Sequence, residues 1–147
     1  PTNYIEPDEL VNLIEVFWNE KDRFIDGYVQ KNPLNLTYRN LNIIKDFKYG
    51  MRKNFLLAVY EKNYTVLNDE GINYMVKGLN ENLDKFIPAE KTPMLIQTAI
   101  MPFNGMIIYD GFISTADMQL SQELVSKAFE DYSYGQKIYS LLPKNMN

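Results

Sequence analysis

The sequence predicts an α+β fold: an about five-stranded, curved antiparallel sheet, made of a meander plus a hairpin, packed against N-terminal and C-terminal helices. Three observations carry this. The longer stretches of helical periodicity lie toward the two ends of the chain. Short apolar runs follow one another directly between residues 55 and 112, which favours antiparallel over doubly wound parallel pairing. Asn104-Gly105 divides two of the runs, and this pair suits a two-residue type I′ hairpin because both residues tolerate positive φ.

Taken in order, Pro7 to about Gly27 reads as one amphipathic helix. Leu10, Leu13, Ile14, Phe17, Trp18, Phe24 and Ile25 recur at spacings of three and four, Pro7 suits the first turn, and Gly27 is the expected stop. Trp18 is expected to anchor the core. Lys31-Asn32-Pro33 starts a loop. A second helix spans Tyr38 to Lys48, with Leu41, Ile44 and Phe47 inward, and Gly50 ends it. Phe55–Tyr60, Tyr64–Leu67 and Ile72–Val76 are three strands, the last two divided by the turn Asn68-Asp69-Glu70-Gly71. Leu79–Ile87 is a short helical connection stopped by Pro88. Met94–Phe103 and Met106–Phe112 form the hairpin, with Phe103 facing Met106, Met101 facing Ile108 and Ala99 facing Asp110. Pro102 has no N–H for the ladder and marks an edge or a bulge, and Gly111 marks a second kink. Leu120–Tyr132 is the closing helix, and residues 136–142 form a last helical turn or strand. Residues 1–147 read as a single domain: helices over 7–48, sheet over 55–112, helix over 120–132.

Around Asn104-Gly105, the residues Pro102, Phe103, Asn104 and Gly105, then Ile107, Ile108, Tyr109, Asp110 and Gly111, resemble the PF-x-G-x-IIYDG signature of an uncharacterised group of bacterial proteins. The piece from Phe55 to Asn68, with Lys62, Tyr64, Val66 and Leu67, and the Gly78-Leu79 step are also similar. Some members of that group carry a SEC-C zinc tail built on Cys and His. This chain has neither residue, so the tail and any role tied to it do not carry over. The resemblance implies a shared fold and no activity.

The composition restricts chemistry more than it suggests any. Without Cys there are no disulfides or thiolate metal sites, and without His there is no Ser-His or Cys-His pair and no imidazole base. Neither a G-x-G-x-x-G nor a P-loop pattern occurs, and Ser133 and Lys137 lie four apart rather than three. No catalytic residue, metal ligand or cofactor is assigned. No apolar run reaches eighteen residues and the first residues do not read as a signal peptide, so no membrane association and a cytoplasmic location are the expectation.

Three functional readings remain. The leading one is a non-enzymatic protein-binding or adaptor domain, motivated by the missing catalytic apparatus and by eleven Tyr, a residue favoured at interfaces, in an acidic chain of net charge −4. Its partner is unidentified, and a second copy of the chain is one candidate. The second reading is association with nucleic acid through residues 39–62. There Arg39, Lys45, Lys48, Arg52, Lys53 and Lys62 face only two acids, giving +4 and leaving −8 on the remainder, and aromatic residues interleave with them. The third is a carboxylate-dependent metal enzyme centred on Asp110 with Asp117 and Glu123. Against it stands a structural role for Asp110, bonding backbone amides where its strand bends.

Overall fold

The computed structural model describes residues 7–115, 122–134 and 137–143. The chain divides into two compact units, residues 1–48 and residues 49–147.

The first unit is helical. The predicted long helix is two: α1 (Pro7–Asn19) and α2 (Lys21–Lys31). The break falls at Glu20, whose backbone leaves the helical region at φ −123° and ψ 29°. The chain nonetheless keeps hydrogen bonds across it, from Glu20 N–H to Val16 and Phe17 and from Phe24 N–H to Glu20. Gly27 lies inside α2 rather than ending it. A helical glycine costs only about 1 kcal/mol relative to alanine, whereas Asn32 turns left-handed at φ 41° and caps the helix through its N–H to Tyr28. The Asn32 side chain then clasps Leu36, accepting from its N–H and donating to its carbonyl. Trp18 is half-buried, not a core anchor. It sits edge-on to Phe17, which stacks on Phe24. Ile25 is the one fully buried side chain among this unit's described residues. Thr37 caps α3 (Tyr38–Asp46) by accepting from Asn40 N–H, and α3 runs into a 3-10 turn at Phe47–Tyr49.

The second unit is α+β with a mostly antiparallel sheet, as predicted, but the sheet has seven strands among the described residues. They are β1 (Met51–Tyr60), β2 (Thr65–Asp69), β3 (Ile72–Lys77), β4 (Met94–Phe103), β5 (Met106–Tyr109), β6 (Ser114–Thr115) and β7 (Ile138–Tyr139). The first five are the predicted ones with shifted ends: β1 starts at Met51 rather than Phe55, and β5 stops at Tyr109 rather than Phe112. They close on themselves. β1 pairs antiparallel with β4 through residues 51–57 and with β2 through residues 56–60. β2 pairs with β3, β4 with β5, and β3 with β5, this last pairing parallel. Three strands in a meander with the fourth returning beside the first is a Greek key, here closed into a barrel by β5. β6 adds to β4 and β7 adds in parallel to β3.

Side chains alternate across the barrel wall. Phe55 and Leu57 of β1, Leu67 of β2, Tyr74 and Val76 of β3, Ile96 and Ile100 of β4, and Ile107 and Tyr109 of β5 form one buried cluster. Leu56, Ala58 and Val66 point the other way. They are covered by Val125, Ala128 and Tyr132 at the inner spacing of α4 (Gln122–Tyr134). The predicted start of this helix at Leu120 lies outside the described residues. β1 is therefore buried on both faces, which is why Phe55–Val59 is an unbroken apolar run rather than an alternating one. A bulge leaves Ala58 unpaired between Leu57↔Leu67 and Val59↔Val66, and such a bulge bends its strand.

Both tight reversals carry positive φ at two central residues: 48° and 92° at Glu70-Gly71, 49° and 78° at Asn104-Gly105. The second hairpin has the predicted register, Phe103↔Met106 and Met101↔Ile108, with Asp110 N–H bonding the Ala99 carbonyl. Pro102 pairs with Ile107 in β4 beyond the reach of β1, whose ladder ends at Met51↔Ile100, so its missing N–H leaves no bond unmade there. The predicted helix over residues 79–87 is only a 3-10 turn at Leu83–Lys85, with another at Ala89–Lys91. No helix among the described residues is long and apolar enough to cross a membrane.

Gly105→Ala would force a Cβ into a left-handed position and should lower stability by roughly 1 kcal/mol. Leu57→Ala, which empties the barrel core, should cost roughly 2–5 kcal/mol. Urea denaturation of the full chain measures both. A Gly105→Ala loss as large as that of Leu57→Ala would contradict the hairpin geometry.

Candidate functional site

The predicted hairpin motif continues into a bulge. β5 and β6 both lie along β4, but between Ile100↔Tyr109 and Gln97↔Ser114 the four residues Asp110–Ile113 stand opposite two, Thr98 and Ala99. Asp110 holds this excursion in shape. Its Oδ1 accepts the Phe112 N–H at 3.0 Å. The buried Thr98 hydroxyl lies 3.4 Å from Asp110 Oδ1 and 3.2 Å from the Phe112 carbonyl, so its one proton serves both. Arg52 Nη1 donates to that same carbonyl at 3.2 Å, and Gly111 turns the chain at φ 88°. Burial pushes the Asp110 carboxyl above its ordinary value, against the opposing pull of the Phe112 amide, Arg52, the Ala99 amide and Thr98. The structural reading of Asp110 is the one this geometry matches.

Beside the bulge opens a groove of about 480 Å³ lined by Leu79, Asn80, Glu81, Phe86, Tyr109, Asp110 and Gly111. Its far wall is the β3–β4 connection. Gly78 lets that wall approach, because a Cβ there would fall 1.8 Å from the Glu81 carbonyl oxygen. Two barrel tyrosines pin the connection. Tyr109 donates its hydroxyl to the Glu81 carbonyl, and Tyr60 donates to the Ile87 carbonyl at 2.7 Å. Both phenols are pushed up, Tyr60 to about 12, first by burial and then by acidic neighbours, so both remain donors at neutral pH. Leu79 is 57% exposed and Phe86 56% exposed at the groove, and the neighbouring Phe112 is also exposed. Sequence reasoning singled out Tyr109, Asp110 and Gly111, and Leu79 only as part of the Gly78-Leu79 step, but not Glu81 or Phe86. Their apolar and acidic pattern read as an ordinary helical connection.

The candidate cations are divided between the two units. Arg39, Lys45 and Lys48 belong to the first unit, and Arg52, Lys53 and Lys62 to the second. Lys48 pairs with Asp26 at 2.8 Å, Lys45 lies 6.0 Å from the Tyr38 ring centre, and Lys53 pairs with Asp69 at 2.7 Å. Arg52 serves the bulge. Arg39 and Lys62 are exposed, Lys62 in the β1–β2 turn. Of the predicted carboxylate trio, Asp117 lies outside the described residues and Glu123 is exposed on α4. No group of three or more acidic side chains placed to share a metal occurs among the described residues.

Compared with known proteins, the chain matches no family model, no curated protein and no solved structure.

Because burial raises the Asp110 pKa, the protonated carboxyl favours folding. That contribution is complete below the ordinary carboxylate range and is lost as pH rises through the folded value. Asp110→Asn keeps an oxygen for the Phe112 amide but no charge. Its stability relative to wild type should rise between about pH 4 and pH 7. Asp110→Ala, lacking the acceptor, should lose about 1–2 kcal/mol across that range. Thermal melts of the three proteins at several pH values check both signs.

Proposed function

We propose that the chain is a non-enzymatic protein-binding module and that the groove beside the Asp110 bulge is its contact surface. One observation carries the reading: Leu79 and Phe86, each more than half exposed, line a groove whose walls are held by hydrogen bonds from barrel tyrosines and the bulge network. Large apolar side chains grouped at a concave surface are what a partner's side chains bury against. The polar groups there support this assignment over chemistry. Asp110 Oδ1 is committed to the backbone, and Tyr109 is a donor to a carbonyl, so neither is poised for proton transfer.

The test is selection of a random heptapeptide library on immobilised full-length chain and on the Leu79→Ser/Phe86→Ser variant. Both substitutions lie on the surface, so the variant should melt within a few degrees of wild type. Enriched peptides should bind wild type and lose at least tenfold on the variant. No enrichment, or equal binding to both, would count against the reading.

A second reading, nucleic-acid association, is favoured by the strand path alone. A five-stranded Greek-key barrel is the architecture of oligonucleotide-binding OB domains, which use the face of strands 2 and 3 and the loops beside it. Here α4 packs on the outer face of β1 and β2, and Asn68 and Asn73 of β2 and β3 are buried. The exposed cation in the β1–β2 turn is Lys62. Fluorescence anisotropy with an oligothymidylate probe at low salt decides the matter. Binding that falls steeply with salt and weakens in Lys62→Glu would support it, and no binding would remove it.

A further inference from the structure

We propose that the partner segment seated in this groove presents a cationic side chain flanked by apolar ones; the proposal rests on the protein-binding reading of the same groove. The charged side chains among its described lining residues are Glu81 and Asp110, both acidic, with no lysine or arginine among those described. Asp84 adds to the negative field, acting on both Tyr60 and Tyr109. Arg52 draws the Asp110 carboxyl down and donates its Nη1 to the Phe112 carbonyl. Burial still outweighs it in setting the Asp110 carboxyl, so a further cation would find an incompletely compensated carboxylate. A cationic side chain is what this acidic lining attracts. Leu79 and Phe86 on the same lining supply apolar area for the neighbours of that cation.

The experiment titrates isotope-labelled full-length chain with acetyl-Gly-Leu-Lys-Phe-Gly-amide and with versions carrying Arg, Met or Glu in place of Lys, following backbone amide shifts. The Lys peptide should shift amides across residues 79–86 and 109–112 and bind about tenfold more tightly than the Met peptide at low salt. That advantage should shrink at about 1 M salt, where screening reaches about 3 Å. Glu81→Gln and Asp110→Asn should each reduce the Lys-over-Met preference without moving the apolar contribution. If Met binds as tightly as Lys at the same amides, the cation inference falls while the protein-binding reading stands. An Arg peptide that binds no more tightly than the Met peptide overturns it equally. Shifts gathered instead at Ile72, Tyr139 and Leu141, which line a separate apolar groove of about 450 Å³, overturn the assignment of the site. Absence of shifts with all four peptides overturns both the inference and the reading beneath it.

Discussion

The second unit depends on β1 being bonded along both edges. Residues 51–57 pair with β4 and residues 56–60 with β2, so one strand belongs to both halves of the wall. Closing a sheet removes exposed edges, but it requires a strand that bends and is apolar on both faces at once. Phe55–Val59 meets the second requirement and the bulge at Ala58 the first. Phe55 and Leu57 fill the interior, while Leu56 and Ala58 lie under α4. A polar residue on either face would have been stranded in a buried layer.

The Asp110 bulge is the second organising device. An extra pair of residues on one strand leaves backbone groups without ladder partners, and in a buried wall each must be satisfied. Thr98, Asp110 and Arg52 come from three different strand segments and supply those partners. Arg52 illustrates how a charge can mislead when read in sequence alone: it sits in a basic run, yet its guanidinium completes a backbone turn sixty residues away. Lys48 and Lys53 likewise meet acids, Asp26 and Asp69, that are remote in sequence. The bulge re-aims the chain so that Tyr109 and Asp110 end at the groove, coupling the architecture to the surface proposed for binding.

What the linear pattern revealed was whatever depends on near neighbours. The Asn104-Gly105 reversal and its register follow from two residues that accept positive φ, and the outcome agrees. The kink at Gly111 and the proline in β4 beyond the end of the β1 ladder are local consequences of the same kind. Where competing local signals were close in energy, the reading erred. Glu20 breaks a helix whose apolar periodicity runs straight through it, Gly27 does not stop α2, and the apolar residues of 79–87 produce one 3-10 turn instead of a helix.

Composition and local pattern by themselves determined the α+β class, the order of the five main strands, both tight turns and the exclusion of thiol and imidazole chemistry, because each rests on residue type or on contacts a few positions apart. Tertiary structure alone decided that β3 and β5 lie parallel, that the wall closes, that β6 and β7 extend it, and that Leu79, Glu81 and Phe86 share a groove with Asp110. These outcomes join residues tens of positions apart. Whether such pairings form depends on the packing of the whole core, a quantity that no short stretch of sequence contains.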